Sequence, residues 1–272
     1  MTTNSEALSG EMAPGERLLR ASRLIPENQN VETLPIGTPV REALEKMDKT
    51  DFSQMPVVIG PRVIGVFSHR SFGKRLVGVN QLDRLMESQV VDFLEPEEPV
   101  FVRSKAKYTD FVDGVYKNGY VLVGHEDDLY GILTFQDLLD AIDEFAKPYW
   151  HLRNIELTLR QLAKEVCSTE ELASCVERAM HHNESLPNTD FDKLSLGQVQ
   201  EVLFNGENWG RYFKSALGAH KEIERGSLER VVVIRNHVMH FTAECTVEEM
   251  QDLLDYGTHL NQRWKIVEDQ GG

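Results

Sequence analysis

The chain has 272 residues, a length that suits two domains of ordinary size. Hydrophobic residues at 41% with charged residues at 27% describe a globular protein, and the apolar runs are too short to cross a bilayer, so the expectation is a cytoplasmic protein with no membrane partner. A net charge of −15 argues against a protein that coats nucleic acid through a broad basic surface; a small phosphate site suits this chain better.

Met1 to Glu16 is polar and Gly-containing, and residues 1–24 read as a flexible N-terminal segment with a short helix. Two echoing stretches follow. In the first, Thr38-Pro39-Val40 leads into a helical pattern (Val40, Ala43, Leu44, Met47) and then the extended Met55-Pro56-Val57-Val58-Ile59. A turn at Gly60-Pro61-Arg62 gives Val63-Ile64-Gly65-Val66-Phe67-Ser68. In the second, Val100-Phe101-Val102 passes through a helix near Tyr108 to Tyr116, then Tyr120-Val121-Leu122-Val123, an acidic turn at Glu126-Asp127-Asp128, and Leu129-Tyr130-Gly131-Ile132-Leu133-Thr134. Each stretch closes with a new helix, from about Arg70 and from about Phe135 to Phe145. Gly65 and Gly131 hold matching places.

Strand–helix–strand–strand–helix, twice, is an α+β unit that must pair to bury its sheets. The order, spacing and terminal Gly-x-x-Ser/Thr resemble a tandem CBS-domain pair (a Bateman module) over residues 25–146, with repeats at about 25–80 and 90–146. In that family the Ser/Thr after the last strand and an Asp three residues on commonly hold the ribose of an adenine nucleotide. The resemblance therefore implies AMP, ADP or ATP as a regulatory ligand. The second repeat has the whole pattern in Thr134 and Asp137. The first departs from it: after Ser68 come His69 and Arg70, which can meet phosphates, and Ser71 stands where Asp is expected. Thr134 and Asp137 also fit a plain helix cap.

From Lys147-Pro148-Tyr149-Trp150 onward the texture is helical throughout, over residues 147–272. Leu152, Ile155, Leu159, Leu162 and Val166 recur at helical spacing, and a second helix runs from about Thr169 to His182. His181-His182 reads as a frayed helix end, and Asn183 to Lys193, with Pro187 and Asn188, reads as a loop. Ser195-x-x-Gln198 and Thr246-x-x-Glu249 have the form of capping boxes. Trp209, Tyr212 and Phe213 read as core packing. Cys167, Cys175 and Cys245 are odd in number, lack metal-type spacing and read as free thiols.

Between the last two helices lies Val231-Val232-Val233-Ile234-Arg235-Asn236-His237-Val238-Met239-His240. At about 100° per residue, Asn236 and His240 share a helix face, and Arg235 is long enough to curl back toward them. A fixed positive charge, an amide and an imidazole are suited to a phosphate and to proton transfer. His237, His220 and His259 read as surface residues. The Arg-Asn-x-x-x-His motif, with the Ser-Leu-Gly-Gln stretch and the Asn-Trp element before it, resembles the HEPN domains, many of which are metal-independent ribonucleases.

The fold expected is thus α+β: an N-terminal tandem CBS pair of two βαββα repeats followed by an all-α HEPN-like bundle. The resemblance implies a homodimer, RNA as substrate, Arg235, Asn236 and His240 as catalytic residues, and no metal. A non-catalytic nucleotide sensor and an RNA-binding regulator without cleavage are the alternatives.

Overall fold

A computed structural model of the protein describes residues 20–25, 29, 31–76, 82–94, 99–181 and 190–271. The N-terminal tail before residue 20, His182, and the part of the 183–193 loop that holds Pro187 and Asn188 lie outside these residues. The chain divides into two compact units, Met1–Ile142 and Asp143–Gly272.

The first unit holds two three-stranded sheets of one design. In the first repeat β1 (Leu34–Pro35) runs parallel to β2 (Gln54–Ile59), which turns back as β3 (Arg62–Ser68). The second repeats this with β4 (Phe101–Val102), β5 (Tyr120–His125) and β6 (Asp128–Thr134). The short helix α1 (Ala21–Leu24) precedes the first sheet. Helices α2 (Val40–Thr50) and α5 (Tyr108–Asn118) make the two crossovers, with α3 (His69–Leu76) and α4 (Leu82–Met86) between the repeats. Gly65 pairs with Val57 and Gly131 with Val123, and in both hairpins the register shifts at the next residue of the middle strand. Each crossover helix ends in the left-handed region, at Asp51 (φ 56°) and at Gly119 (φ 88°), which turns the chain straight into its hairpin.

Side chains alternate across the strands, and that alternation makes two kinds of core. Val57 and Phe67 bury against the helices of the first repeat, and Val121, Val123 and Leu133 against those of the second. Val63 and Val66 on β3 and Tyr120 and Leu122 on β5 form a shared layer, with Val58 and Ile132 at its margin. The Val63 N–H donates to the Glu126 carbonyl at 2.7 Å, which joins the hairpins by their ends.

What closes each repeat is chain from ahead of the other. Residues Ala21, Leu24 and Ile25 precede the first sheet but bury with Phe111, Val115 and Leu133 of the second repeat. Ala21 and Ser22 donate to the carbonyls of Ala106 and Ser104 at 3.1 and 2.9 Å. In the same way Val90 and Phe93, from the 3₁₀ turn Val90–Phe93 ahead of the second sheet, bury with Val40, Met47 and Phe72 of the first repeat. Here Val40 donates to Ser88 at 2.9 Å and Val90 to Thr38 at 3.0 Å. Full burial of one such aliphatic side chain contributes about 1.5–3 kcal/mol.

The second unit is helical among its described residues: the distal part of α6 (Phe135–Val166), then α7 (Thr169–Met180), α8 (Leu196–Phe204), α9 (Gly206–Asn208), α10 (Lys214–Leu217), α11 (Lys221–Met239) and α12 (Val247–Gly271). Between α9 and α10 the backbone widens to a π-helical turn, Trp209–Phe213. Both capping boxes expected from the sequence are formed, and a third, Ser168 with Glu171, opens α7. The core is built from stripes at three- and four-residue spacing: Leu152, Ile155, Leu159 and Leu162 on α6, Leu228, Val231, Ile234 and Val238 on α11, and Leu253, Tyr256 and Leu260 on α12. Trp209 and Phe213 bury in it as expected, with Trp209 stacked on Phe204 at 5.2 Å.

The helix expected to stop near Phe145 does not stop. It continues through Pro148 as part of α6. A proline inside a helix removes one N–H donor and costs about 3 kcal/mol. Buried residues on both sides of it, Leu138 before and the Leu152–Leu162 stripe after, outweigh that cost, and Asp143 and Lys147 pair across the same turn at 2.8 Å.

One buried polar group holds three helices of this unit together. Asn208 is fully buried; its amide donates to the carbonyls of Cys175 and Val202, both at 2.9 Å, and its oxygen accepts from Arg178 Nε at 2.8 Å. Asn208→Ala strands both carbonyls and the guanidinium. It is expected to lower stability by about 2–3 kcal/mol, read as a shift of the urea midpoint at constant slope.

Candidate functional site

In the second repeat β6 runs directly into α6, and Thr134 and Asp137 close the junction. Thr134 donates to Asp137 Oδ2 twice, from its N–H at 2.7 Å and from its hydroxyl at 2.6 Å. The Asp137 N–H is 3.4 Å from the Thr134 hydroxyl in return. Both strong bonds fall on one carboxylate oxygen, so Oδ1 carries no hydrogen bond among the described residues. Two residues not foreseen from the sequence lie beside this junction. Gln29 Oε1 accepts the Ile132 N–H at 3.1 Å, and a Cβ built on Gly131 would sit 2.7 Å from Ile25 Cδ1. The Gln29–Ile132 contact spans 103 residues of chain, and no local spacing signals it.

The first repeat builds the same junction without a carboxylate. Ser68 and Ser71 exchange N–H···Oγ bonds at 3.0 Å, and the Ser71 hydroxyl also donates to the Ser68 carbonyl at 2.9 Å. Ser71 is buried, so it offers a ligand neither charge nor access. His69 and Arg70 are exposed on the first turn of α3, where Arg70 Nη1 donates to the Lys117 carbonyl at 3.3 Å.

In the helical unit the Arg-Asn-x-x-x-His motif closes α11. Arg235 Nη1 donates to Asn236 Oδ1 at 3.2 Å, whereas its Nε is buried with no hydrogen-bond partner. No acidic side chain pairs with this guanidinium among the described residues. The His240 N–H bonds the Asn236 carbonyl at 3.1 Å, which keeps His240 one turn beyond Asn236, but it is the C-cap rather than a helical residue. Its imidazole is exposed and hydrogen-bonds neither Arg235 nor Asn236. The structure therefore joins Arg235 to Asn236 and leaves His240 next to them, unengaged.

The helix ends in a Schellman motif. The Thr242 N–H bonds the His237 carbonyl at 3.0 Å and the Phe241 N–H bonds the Val238 carbonyl at 3.3 Å. Such a motif needs a left-handed residue after the cap, usually glycine; here it is Phe241, with φ 55°. A side chain in that region costs about 1–2 kcal/mol.

Two histidines differ from their sequence reading as surface residues. His237 is largely buried, with Nε2 3.4 Å from Glu249 of α12, close enough for a charge interaction but without hydrogen-bond geometry. His259 Nε2 lies 2.9 and 3.1 Å from the two oxygens of Glu224, itself buried. Both contacts join α11 to α12, and neither could be read within one helix. His220 is exposed, as expected.

The thiols are poor nucleophiles. Burial and the neighbouring Cys175 push the Cys167 thiol up to about 12, and burial also raises those of Cys175 and Cys245. Among the described residues no three His, Cys, Asp or Glu side chains cluster as a metal ion requires, and no helix is long and apolar enough to cross a membrane.

With this geometry in hand, comparison with known proteins is informative for the first repeat. Residues 25–78 match the family model of the CBS domain. The A-adding tRNA nucleotidyltransferase of Geobacter sulfurreducens is 27% identical over 161 residues, covering 52% of this chain and 18% of that enzyme. The chain thus spans less than a fifth of the length of the curated relative it matches. Among solved structures, a CBS domain-containing protein of unknown function from Bacillus anthracis superposes with a TM-score of 0.41 at 19% identity, over 46% of this chain and 93% of that one. CBSX2, solved in complex with AMP, superposes with a TM-score of 0.38 at 22% identity, over 46% and 96%.

The His259–Glu224 pair makes stability depend on pH. The Glu224 hydrogen bond and charge hold the imidazolium to higher pH than a free histidine, against the opposing effect of burial. A raised folded value means that the contribution is full below about pH 6.5 and is lost as pH rises through the folded value. The urea midpoint is therefore expected to fall as pH rises above about 6.5, and His259→Gln is expected to flatten that slope.

Proposed function

We propose that the chain is a nucleotide-sensing CBS module that regulates a metal-independent, HEPN-type endoribonuclease acting as a homodimer. The observation that carries the catalytic half is the state of Arg235: a guanidinium with no acidic partner among the described residues, next to Asn236 and one turn from an unengaged imidazole. An arginine held this way is available for a phosphate, whose oxygens match its planar donors.

The reaction assigned to the site is attack by the 2′-hydroxyl of RNA on the adjacent phosphorus. The 2′-oxygen–phosphorus bond forms, the bond to the 5′-oxygen breaks, and the products are a 2′,3′-cyclic phosphate and a 5′-hydroxyl. His240 takes the 2′-hydroxyl proton or supplies one to the leaving oxygen, and two copies of the domain provide both functions. Arg235 stabilises the charge that builds on the phosphorane, and Asn236 positions Arg235 through their hydrogen bond. No step draws on a metal ion.

In the CBS half the proposed ligand is an adenine nucleotide, with its ribose hydroxyls on Asp137 Oδ1 and the hydroxyl of Thr134. Ser68, His69 and Arg70 form a weaker second site for phosphate alone, because Ser71 supplies no carboxylate. A ribose that competes for Asp137 loosens the Thr134 N–H and so acts on the first turn of α6. Regulation requires that the nucleotide bind the active and inactive arrangements with different affinity.

The test is cleavage of single-stranded RNA and tRNA in excess chelator, with and without AMP, ADP and ATP. Wild type is expected to cleave, and His240→Ala and Arg235→Ala to lose about 100-fold or more. Asp137→Asn is expected to keep basal cleavage and lose the nucleotide effect. Equal inertness of wild type and His240→Ala under every nucleotide would remove the nuclease and leave a sensor whose helical half docks a partner.

A further inference from the structure

Beside the Arg235–His240 site lies a groove that the proposed reaction does not use. It has a volume of about 430 Å³ and is lined by Phe145, Ala146, Tyr149, Trp150 and Arg153 of α6 and by Phe241. The α6 residues recur at helical spacing, so they form one face. Tyr149 holds that face to the end of α11, its hydroxyl 3.4 Å from the Val238 carbonyl, and its ring lies 5.3 Å from that of Phe145. Three of the aromatic side chains are nevertheless exposed: Phe145 by 47%, Trp150 by 59% and Phe241 by 71%.

We propose that this groove stacks an unpaired base of a single-stranded RNA held at the Arg235–His240 site, with Arg153 on an adjoining phosphate. The inference rests on the nuclease reading for the identity of the RNA, and on three observations of its own. Phe241 directly follows His240 and occupies a left-handed position where glycine would be unstrained, so an exposed aromatic is held there against the preference of its own backbone. The only charged residue in the lining is a cation, Arg153, and it makes no ion pair or hydrogen bond among the described residues, which suits a polyanion. The rest of the lining is Ala146 and four aromatic side chains, which suits a planar base that needs aromatic faces and little else.

Phe241→Gly provides a clean test, because glycine suits the backbone and the variant keeps its fold. Binding is measured in the His240→Ala protein, with a short single-stranded RNA carrying 2-aminopurine, whose fluorescence falls when the base stacks. The parent is expected to quench the probe, and adding Phe241→Gly to weaken binding about 10-fold and abolish quenching. Trp150→Ala is expected to act in the same direction, and the annealed duplex to give no quenching.

If Phe241→Gly binds and quenches like its parent, or if no version binds the probe, the groove is not a base site. If Phe241→Gly instead turns a dimer into a monomer in sedimentation, the face belongs to a second copy and the proposal is overturned. The two readings separate by cleavage of the wild type. Cleavage with an unaffected Phe241→Gly would overturn the groove alone, whereas binding lost in Phe241→Gly without cleavage by wild type would retain the groove and overturn the nuclease.

Discussion

A three-stranded sheet with one crossover helix has two apolar faces and too little chain to cover both, and this shortage governs the first unit. Each repeat is completed by residues from ahead of the other: Ala21, Leu24 and Ile25 on the second, Val90 and Phe93 on the first. Backbone hydrogen bonds to Ala106 and Ser104, and between Val40, Ser88, Val90 and Thr38, set the register of that exchange. The close approach at Gly131 follows from it, since Ile25 fills the space a side chain would take. So does the placing of Gln29, which meets the edge of β6 two residues before Thr134. The geometry of the nucleotide junction is therefore set partly by chain that precedes the whole repeat region.

The helical unit solves a different problem. Its apolar stripes bury well, but three ionisable or strongly polar groups, Asn208, Glu224 and His237, lie among them. Asn208 meets this by satisfying every donor and acceptor it has in hand, and Glu224 by pairing with His259. Arg235 is met only in part: its Nε is buried and unmatched, as are His237 Nε2 and the Tyr256 hydroxyl. Buried polar groups are almost always paired, and at Nε Arg235 differs from Arg160 and Arg178, whose Nε atoms donate to Glu156 at 3.2 Å and to Asn208 at 2.8 Å.

The parts of this architecture that were legible in the sequence are those set by neighbours in the chain. Alternation of Val and Ile marks β2, β3, β5 and β6; Ser195 with Gln198 and Thr246 with Glu249 mark helix starts; Thr134 and Asp137 announce their own cap. The continuation of α6 through Pro148 was not legible, because its cause is burial on either side rather than anything local. The partners of His237 and His259 sit on another helix and leave no periodic trace. The end of α11 was obscured for a specific reason: the stop signal of a Schellman motif is glycine, and this chain places a phenylalanine there.

The matching bulges in the two hairpins bear on where this unit came from. An extra residue stands at Ile64 and again at Tyr130, each just before the glycine that pairs with the middle strand, although the side chains around the two positions differ. Side chains drift freely under substitution, but a bulge persists because its loss moves every later residue to the opposite face. The shared irregularity is thus a mark of duplication from one ancestral half. Either half, taken alone, lacks the segment that closes its core, so the two repeats depend on each other to fold.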